Sequence, residues 1–208
     1  MWLDISIDFQ PAMPIYPGDP VFKATAVKIG DLNSRVTLHQ LELGTHTGTH
    51  VDAPEHVFPG AKTITDLPIE AFIGPCFVLD VKTFSLNELK RLPPKAERVL
   101  IKANNNLPEN SSWLESYQGM PPEFAAKIIK QNPLVLLVGI DAMSIEEKSR
   151  SVLETHQLFL ARDIVILEGL NLSKIVEGWY DLSALPLKLK NLDGSPVRAM
   201  LKKRDGEV

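Results

Sequence analysis

Four short apolar runs constrain this chain more than anything else in it: Phe77–Val81, Val99–Lys102, Leu134–Ile140 and Ile164–Leu167. Each is rich in branched aliphatic residues and is bounded by polar or turn-forming positions, so each reads as a strand. Helical candidates lie among them at Ser85–Arg91, Pro121–Lys130 and Ser151–Ala161. Ser85 suits an N-cap with Glu88 three residues on, and Pro121 or Pro122 suits a first helical turn. Val36–Leu43 alternates as a strand with two unlike faces would. Asp193-Gly194 is a hairpin turn signal between Leu185–Lys190 and Val197–Leu201. Strands and helices that alternate in the middle, with hairpins towards the ends, predict an α/β domain with a mixed β-sheet.

A length of 208 residues fits one domain over residues 1–208, and such a domain buries roughly 70% of the surface its unfolded chain exposes. It needs neither disulfides nor a metal to hold a core. The net charge of −4 argues against a nucleic-acid partner, which calls for a basic stripe or patch. The one basic cluster, Lys202-Lys203-Arg204, reads as a solvated tail. Cys76 is the only cysteine, so no intrachain disulfide forms and the expected compartment is a reducing cytoplasm. Its setting, Pro75-Cys76-Phe77-Val78, is that of a buried structural thiol rather than a nucleophile. The first residues carry acids and no positive segment, so no signal peptide is expected. No apolar run reaches the roughly 20 residues needed to span a bilayer, and no membrane partner is expected.

Pro11, Pro14, Pro17 and Pro20, with Gly18, forbid a regular helix or a central strand and predict a shaped loop. The segment from Gly44 to Gly60 carries the chemistry: Gly-Thr-His-Thr-Gly-Thr-His-Val-Asp-Ala-Pro-Glu-His-Val-Phe-Pro-Gly. It holds three of the five histidines, His46, His50 and His56, with Asp52 among them. Imidazole and carboxylate are together the ligand set of zinc, manganese and iron sites, and a catalytic metal needs about three protein ligands. Gly48 and the β-branched residues around it disfavour a helix. In an extended or looped backbone His46, His50 and Asp52 can share a face, Gly48 lets the chain curl, and Pro54 aims His56 back. Surface or ordinary core histidines would explain one such residue better than three beside an acid.

Two further residues read as completing ligands. His156 shares a helical face with Leu153 and Leu160 and should point inward. Glu168 ends the run Ile164–Leu167, where a buried carboxylate is costly unless paired or metal-bound. His39 reads as structural or exposed. No Gly-x-Ser-x-Gly, Walker loop or Gly-x-Gly-x-x-Gly fingerprint is present.

The run from His46 to His56 resembles the His-x-Gly-Thr-His-x-Asp-x-Pro-x-His signature of the cyclase family, which includes bacterial kynurenine formamidases and isatin hydrolases. Pro14–Pro20, Gly139-Ile140-Asp141, His156, Glu168-Gly169-Leu170 and Asp193-Gly194-Ser195-Pro196 extend the resemblance over nearly the whole chain. It implies a swivelling β/β/α fold, a homodimer or homotetramer, and a hydrolase that uses metal-activated water on an amide bond of a small-molecule substrate, as arylformamidases do. It further implies that His46, His50 and Asp52 bind a first metal. Asp52 is then able to bridge to a second, held with His56, His156 and Glu168. In single-metal members the residue matching His56 is instead the proton-transferring base. Zinc is the first expectation for the divalent ion or ions, with manganese as the second. Tyr16 stands where kynurenine formamidases typically carry tryptophan, and Gly169 where they carry asparagine. A catalytic site would open on a cleft lined by Tyr16 and Phe58. Cyclisation or lactone hydrolysis, and a purely structural metal site, are the competing functions.

Overall fold

The apolar runs become the middle of a nine-stranded sheet. The structure is a computed structural model that describes residues 1–28, 36–103, 117–148 and 152–204. In chain order the strands are β1 (Trp2–Asp4), β2 (Lys23–Val27), β3 (Leu38–Glu42), β4 (His50–Asp52), β5 (Ile73–Asp80), β6 (Arg98–Lys102), β7 (Leu137–Ile140), β8 (Val165–Glu168), β9 (Gly178–Ser183), β10 (Gly194–Pro196) and β11 (Met200–Lys203). The described α-helices are α1 (Pro122–Gln131) and α2 (Glu154–Leu160). The sheet runs β1-β11-β9-β5-β6-β7-β8-β4-β10. Its middle four strands, β5 to β8, are parallel, and every pairing outside them is antiparallel.

Parallel strands are covered on both faces, and the side chains of β6 and β8 divide accordingly. Val99, Ile101 and Ile166 join one apolar cluster with Phe124, Ile128 and Phe159 of the two helices. Leu100, Val165 and Leu167 join another, closed by Ile5, Ile64, Leu67 and Phe72. Helix α1 begins with Pro122 in its first turn and buries Phe124, Ala125 and Ile128, one stripe of a 3.6-residue period. Helix α2 buries Thr155, His156, Phe159 and Leu160, so His156 faces inward as its spacing predicts.

Several expectations change in detail. Ser85–Arg91 forms only a 3-10 turn over Glu88–Arg91, because Leu92 is extended ahead of Pro93 and ends the turn. The third helical candidate becomes α2, which starts at Glu154, and Ser151 lies outside the described residues. Leu134 is 62% exposed in the turn after α1, so that strand starts only at Leu137. Asp193-Gly194 opens a short strand whose ladder partner is β4, while a single bridge, Pro186 to Val197, is left of the expected hairpin. Lys202 and Lys203 are not a tail: both sit in β11, between β1 and β9, and Arg204 pairs with Asp181 at 3.2 Å. The alternating segment around β3 pairs with β2 in a separate two-stranded sheet that is exposed on both faces, His39 included. Among the described residues no helix is long and apolar enough to cross a membrane.

Candidate metal centre

Strand β4 lies between β8 and β10, and its register places the candidate residues side by side. His50 stands opposite Glu168 on one side and Pro196 on the other, and Asp52 stands opposite Gly194. His50 and Asp52, two apart, share a face of the strand. Gly48, with φ +68°, turns the chain into β4, and its carbonyl accepts a hydrogen bond from His50 Nδ1 at 2.9 Å. After Asp52 the chain leaves in a 3-10 turn over Pro54–His56 with proline in its first position. That turn returns His56 to within 4.0 Å, ring centre to ring centre, of His46.

The structure thus brings His46, His50, Asp52, His56, His156 and Glu168 into one cluster. His46 Nδ1 lies 2.8 Å from Asp52 Oδ1. His50 Nε2 lies 3.3 Å from that same oxygen and 3.4 Å from Glu168 Oε2. His156 Nε2 lies 3.2 Å from Glu168 Oε1 and 3.8 Å from Asp52 Oδ2. Ligand atoms of His46, Asp52 and His56 fall within 4.8 Å of one another, as do those of His50, Asp52 and Glu168. Asp52 belongs to both triplets, as a bridging carboxylate would. The partition differs from the one the resemblance implies, since His46 falls with His56 and His50 with Glu168.

Two carboxylates join the cluster that local sequence reading passes over. Asp193 Oδ2 is 2.7 Å from His46 Nε2 and 3.5 Å from His56 Nδ1. Glu146 Oε2 meets His156 Nδ1 at 3.1 Å and accepts the Thr155 backbone N–H at 3.0 Å. A strong turn signal accounts for Asp193 locally, and Glu146 opens the charged run Glu146-Glu147-Lys148, whose sequence carries no ligand spacing. Its burial, at 3% exposure, comes only with the fold.

For His46, His50, Asp52, His156 and Glu168 burial disfavours the charged form, yet the partners outweigh it. For His46 the adjacent Asp52 carboxylate more than offsets burial and lifts the pKa above its ordinary value. For His50 the hydrogen bonds to Asp52 and Glu168 do so, and strongly. His156 is raised to about 10 against burial by its hydrogen bonds to Glu146 and Glu168. Glu168, despite burial and the neighbouring Asp52, is held down to about 2 by hydrogen bonds from His156 and His50. Asp52 is held well below the carboxylate range by the charge and hydrogen bond of His46. A nest of carboxylates this buried calls for cations, either protons on the imidazoles or a metal in their place. Asp52 Oδ2 is buried without a hydrogen-bond partner among the described residues, a free lone-pair oxygen in the middle of the donor set. The residues fit a divalent cation.

The cluster forms the floor of a cavity of about 250 Å³, with Ile7, Ile15, Tyr16, Asp19, Met143 and Leu153 on its walls. Tyr16 stands there as expected, carried by the proline-rich loop. Phe58 does not line this cavity. Its backbone N–H closes the turn onto the Pro54 carbonyl at 3.0 Å, and its ring packs against the apolar cluster under the helices. Cys76 is fully buried and burial pushes its thiol pKa up, which suits a core residue and not a nucleophile.

Residues 3–147 match the family model described as putative cyclase. The chain belongs to the cyclase family. A kynurenine formamidase from Salinibacter ruber is 36% identical over 96% of both chains. The solved structure of a potential metal-dependent hydrolase with cyclase activity superimposes with a TM-score of 0.80 at 26% identity, covering 99% of each chain. Isatin hydrolase A from Labrenzia aggregata, bound to benzyl benzoate, shares the cyclase-family fold with a TM-score of 0.82 at 22% identity, over 97% of this chain and 93% of that one.

Proposed function

We propose that this cyclase-family chain is a metal-dependent hydrolase of a small amide, with an arylformamide as the substrate class and zinc, or else manganese, as the metal. The observation that carries the reading is the opening of the His/Asp/Glu cluster onto a cavity of about 250 Å³. A purely structural site would be closed on all sides. Mostly apolar walls suit an aryl group, no Lys or Arg stands among the described lining residues, and relatives named kynurenine formamidase match at nearly full length.

In this reading His46, His50, Asp52, His156 and Glu168 would hold one metal ion or two, with Asp52 common to both groups. When bound, a divalent metal polarises a carbonyl and lowers the pKa of water from about 15.7 towards roughly 7. The chain supplies the rest. His56 is the most exposed imidazole of the cluster, at 27% against 18% for His46 and 4% or less for His50 and His156. It faces the cavity and is placed to take a proton from the attacking water and return it to the leaving nitrogen, a role worth roughly 10² to 10⁴ in rate. Asp193, 3.5 Å from His56 Nδ1, orients that ring. Ile15 and Tyr16 on the cavity wall are the groups that would contact the aryl end.

The same reading treats residues 1–208 as one catalytic domain working in the reducing cytoplasm, supported by the single buried thiol. It also makes the protein a homodimer or homotetramer, supported by the apolar Val27, Leu38 and Leu41 left exposed on the β2–β3 sheet. Metal analysis of the purified protein, joined to a hydrolysis screen of formanilides, N-formylkynurenine, isatin and simple lactones, tests the activity. Formamide turnover that disappears with a chelator and returns with zinc or manganese is expected. Metal-loaded protein that opens lactones and leaves every formamide intact overturns it.

A further inference from the structure

Each inward imidazole of the cluster shows one nitrogen to the buried carboxylates and has the other held from behind. His50 uses Nδ1 on the Gly48 carbonyl at 2.9 Å. His156 uses Nδ1 on Glu146 at 3.1 Å. His46 presents Nδ1 to Asp52 at 2.8 Å and gives Nε2 to Asp193 at 2.7 Å. Asp193 is the one holder that comes from the far end of the chain, 147 residues from His46.

The place is shaped for this contact. The other carboxylate oxygen of Asp193 accepts from Thr45 Oγ1 at 3.0 Å, so both oxygens point at the His46 loop. The Asp193 backbone carbonyl accepts the Ala53 N–H at 2.8 Å, fixing its height against the end of β4. A Cβ on the next residue, Gly194, would lie 2.8 Å from His46 Cε1, so that position leaves room for the ring only as glycine. A carboxylate behind a metal-binding imidazole fixes its tautomer and ring plane, and removing such a partner typically costs 10–100-fold in metal affinity or activity.

We infer that Asp193 is a positioning residue of the metal centre, whose carboxylate locks His46 with its proton on Nε2 and its Nδ1 free to bind the metal. The inference rests on the reading of His46 as a metal ligand. Glu146 is its counterpart behind His156.

The test uses the full-length protein, stripped and titrated with zinc alone against a chromophoric chelator. Asp193→Asn should bind zinc about 10–100-fold more weakly while the metal-free protein still folds, as a cooperative melt shows. Thr45→Val, which removes one hydrogen bond to the carboxylate and no charge, should weaken zinc about threefold to tenfold. In the zinc-loaded wild type, long-range 1H–15N NMR should find the His46 proton on Nε2 and far downfield, and Asp193→Asn should move it upfield. Wild-type zinc affinity in a folded Asp193→Asn protein overturns the inference, as does a His46 proton found on Nδ1. If Asp193→Asn fails to fold, wild-type affinity in Thr45→Val overturns it instead. His46→Ala serves as the reference. Should it bind zinc as tightly as the wild type, the ligand assignment itself has failed. Should it lose zinc while Asp193→Asn does not, only the inference about Asp193 has failed.

Discussion

Substituting Gly48 with alanine perturbs the site through backbone geometry alone, and its cost divides into two measurable parts. The first is conformational. Gly48 has φ +68°, a region that costs an L-residue roughly 1–2 kcal/mol. The second is steric. A Cβ there would overlap the edge of the Phe9 ring, 2.9 Å from Cδ1, and press Met13 Cε at 3.2 Å. Overpacking of that kind costs typically about 1–3 kcal/mol. Gly60 isolates the first part, since it has φ +84° and nothing within 4 Å of its added Cβ. In a domain of this size 1 kcal/mol moves the melting temperature by about 2–4 °C. Gly60→Ala should therefore lower it by about 2–8 °C, and Gly48→Ala by about 4–20 °C. Phe9→Ala should remove the excess when combined with Gly48→Ala, leaving a Gly60-like cost. Calorimetric melts of the four variants form the cycle. Equal losses for Gly48→Ala and Gly60→Ala would refute the steric argument, and so would strict additivity of Phe9→Ala with Gly48→Ala. Because the Gly48 carbonyl holds His50 Nδ1, the Gly48 variant should also weaken zinc binding, whereas Gly60→Ala should not.

Asp52→Ala and His50→Ala should lose zinc and hydrolysis together, with a smaller loss of stability; full occupancy by metal analysis in either protein removes it from the ligand set. His56→Ala should retain at least one metal yet turn over about 10²–10⁴-fold more slowly, and wild-type kcat excludes it from both ligation and proton transfer. The metal-free protein should show a pH-dependent stability set by the buried pair. His156, raised against burial by Glu146 and Glu168 to about 10 from 6.5, stabilises fully below about pH 6.5 and loses that contribution as pH rises through about 10. Glu168, lowered to about 2 from 4.5, stabilises fully above about pH 4.5 and fails as pH falls through about 2. Urea melts should thus find a plateau between those limits and a decline towards alkaline pH; stability that climbs from pH 7 to 9.5 contradicts the pairing.

The ligand loop was legible because its residues are close in sequence and chemically unlike their surroundings. His156 was legible through helical period from Leu160, buried four residues on, although Leu153, the other residue read onto that face, precedes the helix and is 40% exposed. Asp193 and Glu146 were not, because each has a sufficient local explanation, a turn and a charged run, and only tertiary packing gives the second one. Phe58 misled for a related reason. Its neighbours in sequence are site residues, but a 3-10 turn rotates it onto the helical core. The middle strands were readable from composition, while β2, with Lys-Ala-Thr-Ala-Val and no buried side chain, carries no apolar signature. Strand order was out of reach because no residue pattern states that β4 inserts between β8 and β10.

That insertion has a consequence for biosynthesis. The first candidate ligands leave the ribosome before their partners, so β4 has no neighbours until β8 and β10 exist, and His46 meets Asp193 only 147 residues later. At about 5–20 residues per second, translation takes roughly 7–30 s to cover that distance. During that interval the His46–His56 loop is an unpaired histidine-rich segment with no geometry of its own to select a metal. Discrimination between ions in the cell therefore waits for the folded domain, and the two strands that flank β4 decide when loading begins.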